Sequence, residues 1–75
     1  MNPLTFKGIR SDGRHNVAVF EDFNREFSLD ESNLYLRISI LEKTHDVSAE
    51  RTALSALLQR NFTDKLSTLS SPDPQ

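Results

Sequence analysis

Ser11-Asp12-Gly13-Arg14 constrains this chain more than any other stretch, because it is a tight-turn tetrapeptide between two runs that can pair as strands. Asp-Gly suits a two-residue hairpin loop, whose twist requires positive φ; glycine adopts it without penalty and aspartate tolerates it. With Asp12 and Gly13 as the loop, Arg10 faces His15, Gly8 faces Val17, Phe6 faces Val19 and Leu4 faces Glu21. Leu4, Phe6, Val17 and Val19 then share the side that meets the core. Thr5, Lys7, Ile9, Asn16, Ala18 and Phe20 fall on the other side.

The chain has 75 residues, one small domain, and no cysteine. A domain of this size buries only roughly 60% of the surface its unfolded chain exposes, so its stability margin is thin. Disulfides cannot widen that margin, and His15 and His45 as the only imidazoles do not make a structural zinc site. Oligomerisation or a partner protein is the remaining route. Met1 to Lys7 has no basic segment followed by an apolar run, and no stretch is long enough to cross a bilayer, so a cytosolic protein without a secretory signal is expected. Asn61-Phe62-Thr63 matches a glycosylation triplet only by chance on that reading.

A formal net charge of −2 argues against a general electrostatic nucleic-acid binder. The charges are nevertheless uneven: Lys7, Arg10 and Arg14 stand against Asp12 alone in the first 20 residues, whereas Glu21, Asp22, Glu26, Asp30 and Glu31 stand against Arg25 in residues 21–31. Such polarity suits protein contacts as readily as phosphate binding, and solvated faces are the plainer explanation.

Beyond the hairpin, acidic residues and asparagine at Asp22 to Asn24 suggest a turn, followed by a short strand from Glu26 to Leu29 that buries Phe27 and Leu29. A straight continuation of strand two is one alternative. A helix after Ser28 is another, since Ser28 and Glu31 have capping-box spacing. Leu34, Leu36, Ile38 and Ile40 alternate with Tyr35, Arg37 and Ser39, which predicts a further strand from about Asn33 to Glu42. One helix is expected from Ser48 to about Leu69, with Glu50 at its positive end and Leu54, Leu58, Phe62 and Leu66 as its apolar stripe, flanked by Leu57 and Leu69. Residues 70–75 read as a disordered tail. The expected fold is therefore α+β: an antiparallel meander of three to four strands with one C-terminal helix across its apolar face.

Chemistry is thinly represented. His45-Asp46 with Glu42 is the one acid/base cluster, and a polar linker in which Asp46 helps cap the helix explains it more simply. With Gly8 and Gly13 as the only glycines, no phosphate loop is present, no serine or threonine sits in a nucleophile elbow, and no cofactor or metal is expected. Three surfaces stand as candidates. Ile9, Ala18 and Phe20 would form an exposed apolar patch for a protein partner, if one helix covers only the opposite face. Ala49, Ala53 and Ala56, with Arg60 along the same line, would let a second helix approach across a homodimer axis, although alanine also sits wherever a helix makes no other demand. Lys7, Arg10 and Arg14 could grip phosphates. These features suggest a small non-enzymatic interaction or regulatory protein acting by surface binding as a homodimer; a nucleic-acid-binding regulator using the basic hairpin is the alternative.

Overall fold

A computed structural model describes residues 4–70, with side chains to residue 67. Its elements are β1 (Thr5–Asp12), β2 (His15–Asp22), β3 (Arg25–Leu29), α1 (Glu31–Leu41) and α2 (Ser48–Ser70). The strands form one antiparallel sheet in the order β1-β2-β3. The fold is thus α+β, with a three-stranded meander and two helices in place of the single helix expected. Apart from Ser70, which ends α2, the expected tail of residues 70–75 lies outside the described residues, as does the start of the chain at residues 1–3.

The first hairpin forms, but in a different register. Asp12 pairs with His15, leaving Gly13 and Arg14 as the loop. Gly13 carries φ +67° while Arg14 keeps a negative φ, so the only positive φ falls at the first loop position, where glycine is demanded by a type II′ turn. Ile9 then faces Ala18 and Gly8 faces Val19, until a β-bulge between Phe6 and Gly8 slips the ladder so that Phe6 faces Phe20. The bulge accounts for the second glycine: Gly8 has φ +143°, which side-chain-bearing residues rarely adopt. By changing the parity of β1, it brings Phe6 and Ile9 to the same face.

That face is the core. Ala18, Phe20, Leu34, Ala53 and Leu57 are fully buried together, with Leu4, Phe6, Ile9, Phe27, Leu29, Ile38 and Leu54 packed around them. Phe20 lies between the rings of Phe6 and Phe27, at centroid distances of 5.8 and 5.6 Å. The two faces of β2 are therefore exchanged relative to the sequence expectation. Val17 and Val19, also buried, point to the reverse side of the sheet.

Residues 34–41 are helical, which corrects the fourth strand. Asp30 is the N-cap: its side chain accepts the Asn33 N–H at 2.9 Å, satisfying one of the orphan donors of the first turn. A mostly apolar run fits either period, and here Leu34 and Ile38, at i and i+4, supply the side chains that face the core. α1 packs over β2 and β3, α2 over β1 and β2, and the helices touch each other. α2 starts where expected, but its apolar stripe turns inward only along its first half. Leu57 is buried and Leu54 and Leu58 are half-buried, whereas Phe62 is 62% exposed.

The second hairpin closes with Asp22 opposite Arg25 around Phe23-Asn24. Phe23 takes φ +58° and is 73% exposed. A bulky side chain held left-handed costs of the order of 1 kcal/mol or more, with no burial here to offset it. Replacing Phe23 by glycine or asparagine should therefore raise unfolding stability by about 1 kcal/mol, read as a higher denaturant midpoint at unchanged slope.

Candidate interaction surface

The helical twist of residues 31–41 decides which apolar side chains face outward. With Leu34 and Ile38 turned to the core, Leu36 and Ile40 are one turn apart on the opposite flank, 58% and 64% exposed. They line an apolar groove of about 330 Å³ with Leu29, Asn33, Arg37 and Leu41, between the outer side of α1 and the end of β3. A second, more polar groove of about 310 Å³, lined by Asp22, Arg25, Glu26, Phe27 and Arg37, adjoins it. Arg37 belongs to both, and β3 beside them is an edge strand that pairs, among the described residues, with β2 alone.

Arg37 is held from two directions. Its guanidinium donates from Nε to Glu50 Oε2 at 2.8 Å and lies 5.7 Å from the centroid of the Phe27 ring. Glu50 is only 3% exposed, and its other oxygen, Oε1, is buried without a hydrogen-bond partner. The first turn of α2, where the helix dipole is positive, is a favourable place for that carboxylate.

On the far side of α1 is a polar cleft of about 420 Å³ formed by Arg14, His15, Asn16, Asp30, Glu31, Ser32 and Asn61. Its amides are chained: Asn16 donates to Asn61 and to Asp64, each at 2.8 Å, and Asn61 donates to Glu31 at 3.0 Å. This network ties the first hairpin to both helices, and its polar atoms are occupied with one another.

The surfaces expected from sequence are distributed differently. Ala18 and Phe20 are the centre of the core and Ile9 is half-buried against it, so the anticipated exposed patch is the buried side of the sheet. The reason is the bulge at Gly8, which moves Phe6 onto the face of Ile9, Ala18 and Phe20, so that the aromatic side of the sheet is the one the helices cover. Of the alanine stripe, Ala53 is fully buried in the chain's own core, Ala49 and Ala56 are half-buried, and Arg60 is exposed near Asp64 at 3.6 Å. Ala53 thus packs within the chain's own core, while Ala49 and Ala56 lie at its margin. Lys7 lies 3.5 Å from Glu21, Arg10 is exposed opposite Val17 on the reverse face, and Arg14 occupies the turn, so the three cations do not converge on one strip.

Nor does the acid/base cluster assemble. His45 Nδ1 lies 2.8 Å from Thr44 Oγ1, Glu42 pairs with Arg51 at 3.2 Å, and Asp46 accepts both the N–H and the hydroxyl of Ser48 at the start of α2. Those two hydrogen bonds hold the Asp46 carboxyl below the usual carboxylate pKa of 3.8. Asp46 thus helps cap the helix, as its position in the linker suggests. Among the described residues no group of acidic or histidine side chains is placed to hold a metal ion, and no helix is long and apolar enough to cross a membrane.

Leu36 and Ile40 are exposed residues that sequence reasoning assigned to a strand and not to a surface. Asp30 three residues before Asn33 is the signal available for them, because it starts a helix in which they turn outward. Neither a protein-family model nor a curated protein or solved structure matches this chain.

Proposed function

We propose that this chain is a small non-enzymatic interaction protein that acts by surface contact as a homodimer, in the cytosol, and in that form covers a surface of another macromolecule. The observation that supports this reading is the aliphatic flank of α1. Leu36 and Ile40 project away from the chain's own core beside Leu29 and Leu41, in a domain whose buried set is small. A second copy is a fitting occupant because an antiparallel pair of α1 helices is self-complementary: the positive end, beginning at Glu31, meets the negative end near Leu41, and Leu36 of each meets Ile40 of the other. The candidate catalytic side chains, by contrast, are each engaged with an immediate neighbour.

Sedimentation equilibrium tests the proposal. Wild-type protein should be dimeric at high micromolar concentration. Leu36→Glu with Ile40→Glu should be monomeric there with an unchanged circular-dichroism spectrum, since burying each side chain in an interface contributes about 1.5 to 3 kcal/mol. A wild type that stays monomeric at the highest concentration measured would refute it.

A further inference from the structure

We infer that two copies of this chain join through the outer edge of β3, in antiparallel register with Phe27 opposite Phe27, to make one continuous six-stranded sheet with all four helices on one face. This inference rests on the self-association proposed above and specifies how it is built.

The backbone supplies the first argument. The pair Asp22↔Arg25 closes a two-residue loop, and closing pairs of such loops are hydrogen-bonded. Antiparallel ladders alternate, so Arg25, Phe27 and Leu29 turn their N–H and C=O groups toward β2, whereas Glu26 and Ser28 turn theirs outward. An outward row of this kind is a template for another strand. The two edges of the sheet differ in this respect: β1 carries a bulge and Lys7 on its edge, both of which obstruct pairing, whereas β3 has no proline, lysine or bulge.

Charge selects the register. Directly opposed residues of an antiparallel pair share a face, so a two-fold pairing that keeps Phe27 and Leu29 on the helix side must centre on a residue. Centring on Glu26 sets that carboxylate against its own copy, and centring on Ser28 sets Glu26 against Asp30. Centring on Phe27 opposes no like charges: Glu26 faces Ser28, and Arg25 faces Leu29 with Asp30 and Glu31 just beyond it. Each contact occurs twice. The outward-facing pairs Glu26 to Ser28 are then also the hydrogen-bonded ones, as the ladder requires.

The helices supply the third argument. α1 lies over β2 and β3, and its outer flank faces the β3 edge. A two-fold axis normal to the sheet at Phe27 keeps both α1 helices on the same side, antiparallel, with Leu36 and Ile40 of each copy turned toward the other. One operation thus pairs the open edge and covers the exposed aliphatic flank.

Ser28 gives the test, because in this register it is opposite Glu26 twice per dimer. Ser28→Lys should tighten the dimer and Ser28→Glu should loosen it, separating their dissociation constants by roughly tenfold or more at low salt. In wild-type protein, hydrogen exchange at the Glu26 and Ser28 amides should slow as concentration rises, a measurement that needs no variant to fold. Equal dissociation constants for the two variants, or exchange at those amides independent of concentration in a protein that does dimerise, would overturn the β3 junction while leaving self-association standing. A protein monomeric throughout would overturn both.

Discussion

Phe20→Ala should leave the protein largely unfolded at ambient temperature. The ring is fully buried and is held between Phe6 and Phe27, so truncation removes its own burial and strips one face from each neighbour. Phenylalanine-to-alanine changes in well-packed cores cost about 3 to 5 kcal/mol. A chain of 75 residues has a total stability of roughly 4 to 11 kcal/mol at the usual 0.05 to 0.15 kcal/mol per residue. The loss is therefore comparable with the whole. Phe62→Ala is the matched control: the same residue type, mostly exposed on α2, should change stability by no more than about 0.5 kcal/mol. Urea unfolding of the three proteins at one fixed concentration distinguishes these outcomes, and similar losses for both variants would show that the core is not centred on Phe20.

The contrast between Phe20 and Phe62 also marks what the sequence makes legible. The first hairpin is visible in Asp12-Gly13, the second in the cluster Asp22 to Asn24, and α2 in its capping residues and leucine spacing. Each rests on a local preference. Which face of a strand is buried is not local. A single glycine supports a loop at Asp12-Gly13 or at Gly13-Arg14, and the bulge that settles the parity of β1 has only Gly8 as its sign. Moving the loop by one residue shifts every cross-strand partner by two and leaves the faces as they are; it is the bulge that carries Phe6 across to the side of Ile9, Ala18 and Phe20 and so makes that side the core.

The same ambiguity of period explains the strand expected at residues 33–42. Leu34, Leu36, Ile38 and Ile40 satisfy a period of two, yet Leu34 and Ile38 with Leu41 satisfy a helical one equally well, and burial decides between them. A strand would have hidden all four alternating residues. The helix hides Leu34 and leaves Leu36 and Ile40 outside, which is how a misread period conceals a candidate interface.

Removing Arg37 should have a large effect for a different reason. Glu50 is buried with one oxygen on Arg37 and the other on no protein donor, so Arg37→Met leaves a carboxylate with little solvent and no cation. Breaking one side of such a pair should cost about 3 kcal/mol, including the contact of the guanidinium with Phe27. Glu50→Leu should cost much less, since it removes the unsatisfied oxygen along with the pair and leaves Arg37, about a third exposed, able to turn to water. Arg37→Met combined with Glu50→Leu should recover most of the loss, because an apolar pair of similar volume needs no desolvated charge. A double-mutant cycle in urea measures the coupling, and it should reach about 2 kcal/mol, well above the value for an exposed ion pair. If the single and double variants add without coupling, the Arg37 and Glu50 side chains do not depend on each other. The start of α2 would then be held to α1 by the neighbouring apolar contacts alone.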